Sequence, residues 1–210
     1  MLQTRVSLFL LSAALYAQAS AAPILGVTAS SPNGSAFGNI ANIVNGVGLV
    51  GGQLPTSLHS ESGLATAWQA AGSGANSEIN FDLGSVYALS GMAVWNTNGA
   101  FAGRGINALQ VFFSLDNLTW TLITGSPSNF AQRTETGNIA AESFAWTPVT
   151  ARYVRFDVGS TYNTNGAALN EVLFDGTQVV PELDGSAALA PLSLMWLGLL
   201  SLQRRRAKIG

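Results

Sequence analysis

The amino-acid sequence predicts an all-β fold, an antiparallel β-sandwich, and three observations carry that expectation. Apolar and polar residues alternate with a period of two through the middle of the chain, where no long stretch has helical periodicity. The alternating runs are short and bounded by Gly, Asn and Asp turns. Most runs keep one largely polar face, as antiparallel sheets do when one side packs and the other meets water.

In the first run Ile79, Phe81 and Leu83 alternate with Glu78, Asn80 and Asp82. In the second, Met92 and Val94 alternate with Ala93 and Trp95. Leu109, Val111 and Phe113 form an apolar face opposite Ala108, Gln110 and Ser114, with Phe112 breaking the polar side. Trp120 and Leu122 alternate with Thr119 and Thr121 until Ile123 interrupts. Phe144 and Trp146 follow. Val154, Phe156 and Val158 then alternate with Tyr153, Arg155 and Asp157, and Val172 and Phe174 mark the last strand. Arg155 has solvent parity and Arg152 stands at a strand start, so both are expected to pair with carboxylates such as Asp82 or Asp157. Segments 29–74 and 124–138 have loop compositions, rich in Gly, Asn, Ser and Thr, but hydrophobic residues spread among them argue for order.

The two ends of the chain have a different composition. Arg5, an apolar run over 6–16 and small residues at Ala17, Ala19 and Ala21 read as a signal peptide over 1–21. At the other end, Pro181, Glu182 and Leu183 precede an apolar stretch over 187–202 and the basic cluster Arg204, Arg205, Arg206 and Lys208. This order resembles the PEP-CTERM sorting signal of Gram-negative bacteria, although the second proline of that motif is absent. The resemblance implies processing by an exosortase and release to the cell surface or exopolysaccharide matrix, with only transient membrane contact. A permanent anchor is the alternative. Sixteen residues span about 24 Å as a helix, less than the ~30 Å hydrocarbon core, and Pro191 weakens the helix further.

Between these ends, residues 22–178 are long enough for one domain with its own core. The sequence has no cysteine, so an exported domain has no disulfide and no thiol nucleophile. Over 22–180 nine carboxylates face only Arg104, Arg133, Arg152 and Arg155, a net charge near −5 that argues against nucleic acid and anionic lipid as partners. His59 is the only histidine and no Gly-x-Ser-x-Gly elbow is present, so a catalytic triad has little to draw on. We expect His59 to be a solvated loop side chain and the protein to be no enzyme.

Five fragments fall in the order found in discoidin (coagulation factor C-terminal-type) domains. They are Ile79-Asn80-Phe81-Asp82-Leu83-Gly84, Arg104-Gly105, the run from Ser114 to Trp120, the run from Ala151 to Phe156, and Leu169-Asn170-Glu171-Val172-Leu173-Phe174. Upstream, Asn45-Gly46 and Thr66-Ala67-Trp68 resemble that family's Asp-Gly and Thr-x-Trp element. The departures are Asn45 in place of Asp, Asn117 in place of Gly, and a long insertion between Gly46 and Thr66. The resemblance implies a galactose-binding-like jelly roll. It also implies a structural Ca²⁺ held by the side chains of Asn45 and Glu171 and the carbonyl of Thr66, an oxygen set of the kind a hard cation takes. The alternative for Glu171 is an arginine partner.

With the strands facing a core, ligand contacts are expected in loops at one end of the sandwich. Loops 96–104, 125–136 and 160–165 offer Asn96, Asn98 and Arg104 as donors, with Phe101 and Tyr162 as platforms; Phe130 is a further candidate platform. Arg104 is read either as a fork for sugar hydroxyls or a carboxylate, or as an anchor for its own loop. The asparagines have the alternative of satisfying their own turns. Trp95, beside the polar run 96–98, is a further candidate platform. The reading that follows is an exported, non-catalytic protein that binds carbohydrate, with exopolysaccharide as partner. The alternative is a structural or adhesion protein that binds other proteins.

Overall fold

The computed structural model describes residues 21–72, 76–163 and 165–180. The expected signal peptide and sorting segment therefore lie outside the described residues, apart from Ala21, Val179 and Val180. Among the described residues no helix is long and apolar enough to cross a membrane.

Twelve strands are described: β1 (Ala22–Pro23), β2 (Thr28–Ser30), β3 (Ser35–Phe37), β4 (Leu49–Val50), β5 (Leu58–His59), β6 (Trp68–Ala70), β7 (Ser77–Asn96), β8 (Ile106–Ser114), β9 (Thr121–Leu122), β10 (Ile139–Ala140), β11 (Glu142–Thr161) and β12 (Ala168–Gln178). Two 3-10 helices, Ile40–Ile43 and Gly99–Arg104, complete the list. The main sheet has the order β3-β6-β12-β7-β11-β8-β9, with β1 on β12 and β2 on β7. Every pairing is antiparallel. The fold is the jelly-roll sandwich that the resemblance implied.

The runs at 79–83 and 92–95 are one strand, β7, and those at 144–146 and 153–158 are one strand, β11. Twenty straight residues would extend about 66 Å, against roughly 40 Å for a domain of this size. Both strands must bend, and the register shows where. Four residues of β11 advance against two of β7 from the pair Ala145–Gly91 to Val149–Leu89. Pro148, which cannot donate to a ladder, lies in that bulge. From Ala151–Tyr87 to Tyr153–Asp82 the excess lies on β7, at Gly84 with φ +80°. The first half of β7 thus joins β2, the second half of β11, β8 and β9 in one layer. Its second half joins β12, β6 and the first half of β11 in the other.

The core between the layers centres on Phe81, Phe156 and Phe174, whose ring centroids lie 4.9, 5.1 and 6.2 Å apart in edge-to-face pairs. Phe130 and Phe144 extend it. Residues with the expected inward parity, Ile79, Phe81, Leu83, Val154, Phe156 and Val158, are all buried. Trp68 and Trp146 donate their indole N–H groups to Ser35 Oγ and the Leu89 carbonyl.

Parity fails around residues 93–95, where both faces of β7 are covered. The insertion between Gly46 and Thr66 supplies β4 and β5, which join β10 in a small sheet of order β10-β5-β4. A second apolar cluster of Ala93, Trp95, Ile139 and Leu173 includes Ile139 of that sheet, with Leu49 packed against it. Trp95 is fully buried and donates to the Ser57 carbonyl at 3.1 Å, so it is no ligand platform. Asn117 has φ +60°, a left-handed turn position that Asn tolerates where the resemblance implied Gly. Asp116 closes that turn by accepting from the N–H groups of Leu118 and Thr119. Arg152 pairs with Asp82, and Arg155 with Glu78 and Asp157 while lying over Trp120. These pairs are partly exposed and contribute little.

The aromatic centre makes one expectation direct. Phe156→Ala should lower unfolding free energy by about 3–5 kcal/mol, the range for a large buried side chain removed from a packed site. Urea denaturation should show a lower midpoint with an unchanged slope.

Candidate functional site

The 3-10 helix Gly99–Arg104 leaves the end of β7 and returns the chain to β8. Its position is set from below by two asparagines. Asn96 is 1% exposed. Its amide oxygen accepts from the N–H groups of Thr97 and Ile106, and its amide nitrogen donates to the carbonyls of Ile106 and Ala131. One side chain thus ties both ends of the loop together and holds the 125–136 loop beside them. Gly105 is required here, because a Cβ would sit 2.8 Å from the Asn96 amide oxygen.

Asn98 is 0% exposed. Its oxygen accepts from Ser62 N–H at 3.0 Å, and its nitrogen donates to the carbonyls of Glu135 and Gly137. Ser62 Oγ lies 2.8 Å from both Asn98 Oδ1 and Asn170 Oδ1. Both Asn96 and Asn98 were expected to touch ligand, but burial places them under the loops, where their amides satisfy backbone groups. Phe130 is also fully buried and belongs to the core.

Phe101 and Arg104 do come together, and the backbone of Tyr162 is tied to the end of the same loop at Gly105. The Arg104 guanidinium carbon lies 4.8 Å from the Phe101 ring centroid and 5.5 Å from that of Phe37, and the two rings are 5.2 Å apart. Arg104 Nη1 donates to Gln69 Oε1 at 2.8 Å. Tyr162 N–H donates to the Gly105 carbonyl at 3.2 Å, and the phenol donates to the Phe130 carbonyl at 2.6 Å. Desolvation and the nearby Glu142 carboxylate push the Tyr162 phenol above its usual pKa, so it remains a neutral donor. All four of Phe37, Phe101, Arg104 and Tyr162 are half-buried. Phe37, Phe101 and Arg104 thus form a partly exposed cluster of two rings and a held cation. Sequence reasoning missed Phe37 and Gln69. Gln69 adjoins the Thr66-Ala67-Trp68 element, which pointed to its neighbourhood, whereas Phe37 reaches the site only by the pairing of β3 with β6.

The expected calcium ligands are arranged differently. Glu171 is fully buried, and both its oxygens accept from Gly46 N–H, at 3.2 and 3.1 Å, with the Gln53 side chain as a further partner. Burial pushes its carboxyl up to about 8. Asn45 is exposed, and its oxygen accepts from Val47 N–H at 2.9 Å. The backbone of Thr66 faces His59. His59, expected in solvent, is fully buried. Its Nδ1 lies 2.7 Å from the Ser60 carbonyl and its Nε2 3.1 Å from the Val47 carbonyl. Burial pushes the imidazole below its usual pKa while these carbonyls pull it back. The groups around Glu171 are N–H donors rather than oxygens, so the three residues do not fit a bound Ca²⁺ in this arrangement. Among the described residues there is no cluster of three His, Asp or Glu suited to a metal. Nor does an arginine pair with Glu171 among them.

A family model, the F5/8 type C domain, matches residues 26–172. Among solved structures, the chain is similar to CBM32-1 from a family 31 glycoside hydrolase of Clostridium perfringens. Identity there is 13% and the TM-score 0.54, over 72% of this chain and 95% of that one. It is also similar to the family 32 CBM from C. perfringens NanJ, solved in complex with galactose, at 12% identity and TM-score 0.50, over 74% and 98%. At such identities these likenesses carry the fold alone. No curated protein matches the chain.

Two outcomes test this geometry. Asn98→Ala should destabilise the domain by about 1–3 kcal/mol, because buried backbone carbonyls and the Ser62 N–H lose their partner. For Glu171, a folded pKa near 8 against about 4.5 unfolded means a proton is held on folding. Its contribution is complete below about pH 4.5 and is lost as pH rises through 8. The melting temperature should therefore fall more between pH 5 and pH 8 in the parent than in Glu171→Gln, with chelator present in both.

Proposed function

The chain belongs to the F5/8 type C domain family, and from that premise we propose that it is an exported, non-catalytic carbohydrate-binding protein of the bacterial surface. The carrying observation is the half-buried cluster of Phe37, Phe101 and Arg104 at the loop end of the sandwich. Aromatic faces accept the C–H face of a sugar ring, and the guanidinium beside them offers a planar set of donors. The likeness to a module solved with galactose supports this reading. The binding expected of a site this small is weak, with a Kd in the micromolar to millimolar range, about −8 to −4 kcal/mol.

His59 and Glu171 are both fully buried and spent on backbone groups, which supports a binding role over catalysis. Residues 1–21 and 179–210 support export and sorting to the cell surface or exopolysaccharide, with an exosortase as processing partner. A second reading, adhesion to other proteins, is favoured by Leu115, Leu118 and Leu122, which expose 55, 84 and 45% of their surface around the β8–β9 turn.

NMR titration of the purified protein with oligosaccharides from the producing cell's exopolysaccharide separates the two. Carbohydrate binding predicts shifts in the 99–105 loop, and a loss of affinity of about tenfold in Phe101→Ala and Arg104→Ala with the melting temperature nearly unchanged. No shift with any glycan, together with protein capture lost in Leu118→Asp, would establish the adhesion reading.

A further inference from the structure

Four arginines lie among the described residues, and three of them face carboxylates. Arg133 has Glu135 at 3.4 Å, Arg152 has Asp82 at 3.2 Å, and Arg155 has Asp157 at 3.2 Å. Arg104 alone has no carboxylate within 4.0 Å among the described residues. Its hydrogen-bond partner is the neutral amide oxygen of Gln69, and its remaining contacts are the faces of Phe37 and Phe101. In a segment where nine carboxylates face four cations, leaving this one unpaired is unexpected. An anchor for its own loop would satisfy its charge on a nearby Asp or Glu or on loop carbonyls.

We propose that the site selects acidic sugars, with the Arg104 guanidinium receiving the carboxylate of a uronic acid. This rests on the carbohydrate reading and narrows it. The Gln69 bond engages one edge of the guanidinium, and the rings hold its plane. The fork is therefore ordered before ligand arrives, so little side-chain entropy is lost on binding. A carboxylate matches the planar fork and makes charge-assisted hydrogen bonds roughly twice as strong as those of a neutral hydroxyl. A sulfate ester would share the charge but lacks the planar two-oxygen edge. The Phe101 and Phe37 rings, within 5.5 Å of the guanidinium carbon, leave the sugar's C–H face an apolar surface beside its charged edge. The protein's own negative charge opposes a long polyanion, so the preference is best read on short oligosaccharides, where repulsion adds little.

The test is isothermal titration of the purified full-length protein at about 0.15 M salt with galacturonate, mannuronate and glucuronate trisaccharides. Each is compared with its methyl ester, its neutral parent sugar and a sulfated counterpart. At least one uronate should bind about tenfold or more tightly than its own ester. Arg104→Lys, which keeps the charge but not the fork, and Gln69→Ala should each reduce that ratio. The parent protein's acid-to-ester ratio needs no variant to fold. A ratio near one for all three acids, with neutral sugars still bound, overturns the acidic preference and leaves the carbohydrate reading standing. A sulfated sugar bound as tightly as the acid overturns the carboxylate assignment. No binding to any member of the panel overturns both readings.

Discussion

Two 20-residue strands, β7 and β11, run side by side through the domain, and their bends put the rest of the structure in place. Each serves one layer with its first half and the other layer with its second, so the sandwich closes without a separate hinge element. Phe81 and Phe156 come from the layer shared with β2 and β8, while Phe174 comes from β12 opposite. A domain without disulfides depends on this contact, because apolar burial is its main source of stability. The bulges at 145–149 on β11 and around Gly84 on β7 are therefore part of the fold's specification, as bulges commonly are.

The same strands end at the loops, and here the stabilising chemistry changes from apolar to polar. Asn96 and Asn98 at the end of β7, Asn170 at the start of β12 and Ser62 in the loop before β6 are buried, and each finds hydrogen-bond partners. Such a network is costly if one member is lost and rigid when complete. Rigidity matters because the surface above it is small: two aromatic rings and a guanidinium. Sequence reasoning placed Asn96 and Asn98 on the ligand, and the structure places them beneath the loop surface. Their role is to hold Phe101 and Arg104 still.

Beside this network the insertion between Gly46 and Thr66 does comparable work for the opposite face of β7. It folds over Trp95, buries His59 among carbonyls and brings Gly46 N–H onto Glu171. Two ionisable groups are thus held in a layer that water does not reach, and burial drives each toward its neutral form. Arg104, half-buried at the loop end, meets the contrary condition: it has no carboxylate partner among the described residues.

Strand parity alone determined much of this molecule. Ile79, Phe81, Leu83, Val154, Phe156 and Val158 all point where a period of two places them, because one face of each run is packed and the other is wet. Arg155 follows the same rule outward, whereas Arg152 has the inward parity and reaches Asp82 and water only because it stands at the start of its run. The ordered fragments from Ile79 to Phe174 also placed the jelly roll and the Arg104 loop. Parity could not decide the fate of residues covered on both sides. Trp95, Asn96, Asn98, His59 and Glu171 depend on an insertion and on loops distant in sequence, and alternation carries no information about a second covering layer. Phe37 and Gln69 enter the site through the pairing of β3 with β6, a contact between segments far apart along the chain. Such pairings are set by which free edges and faces remain once the long strands have bent, and that is decided only when the chain packs.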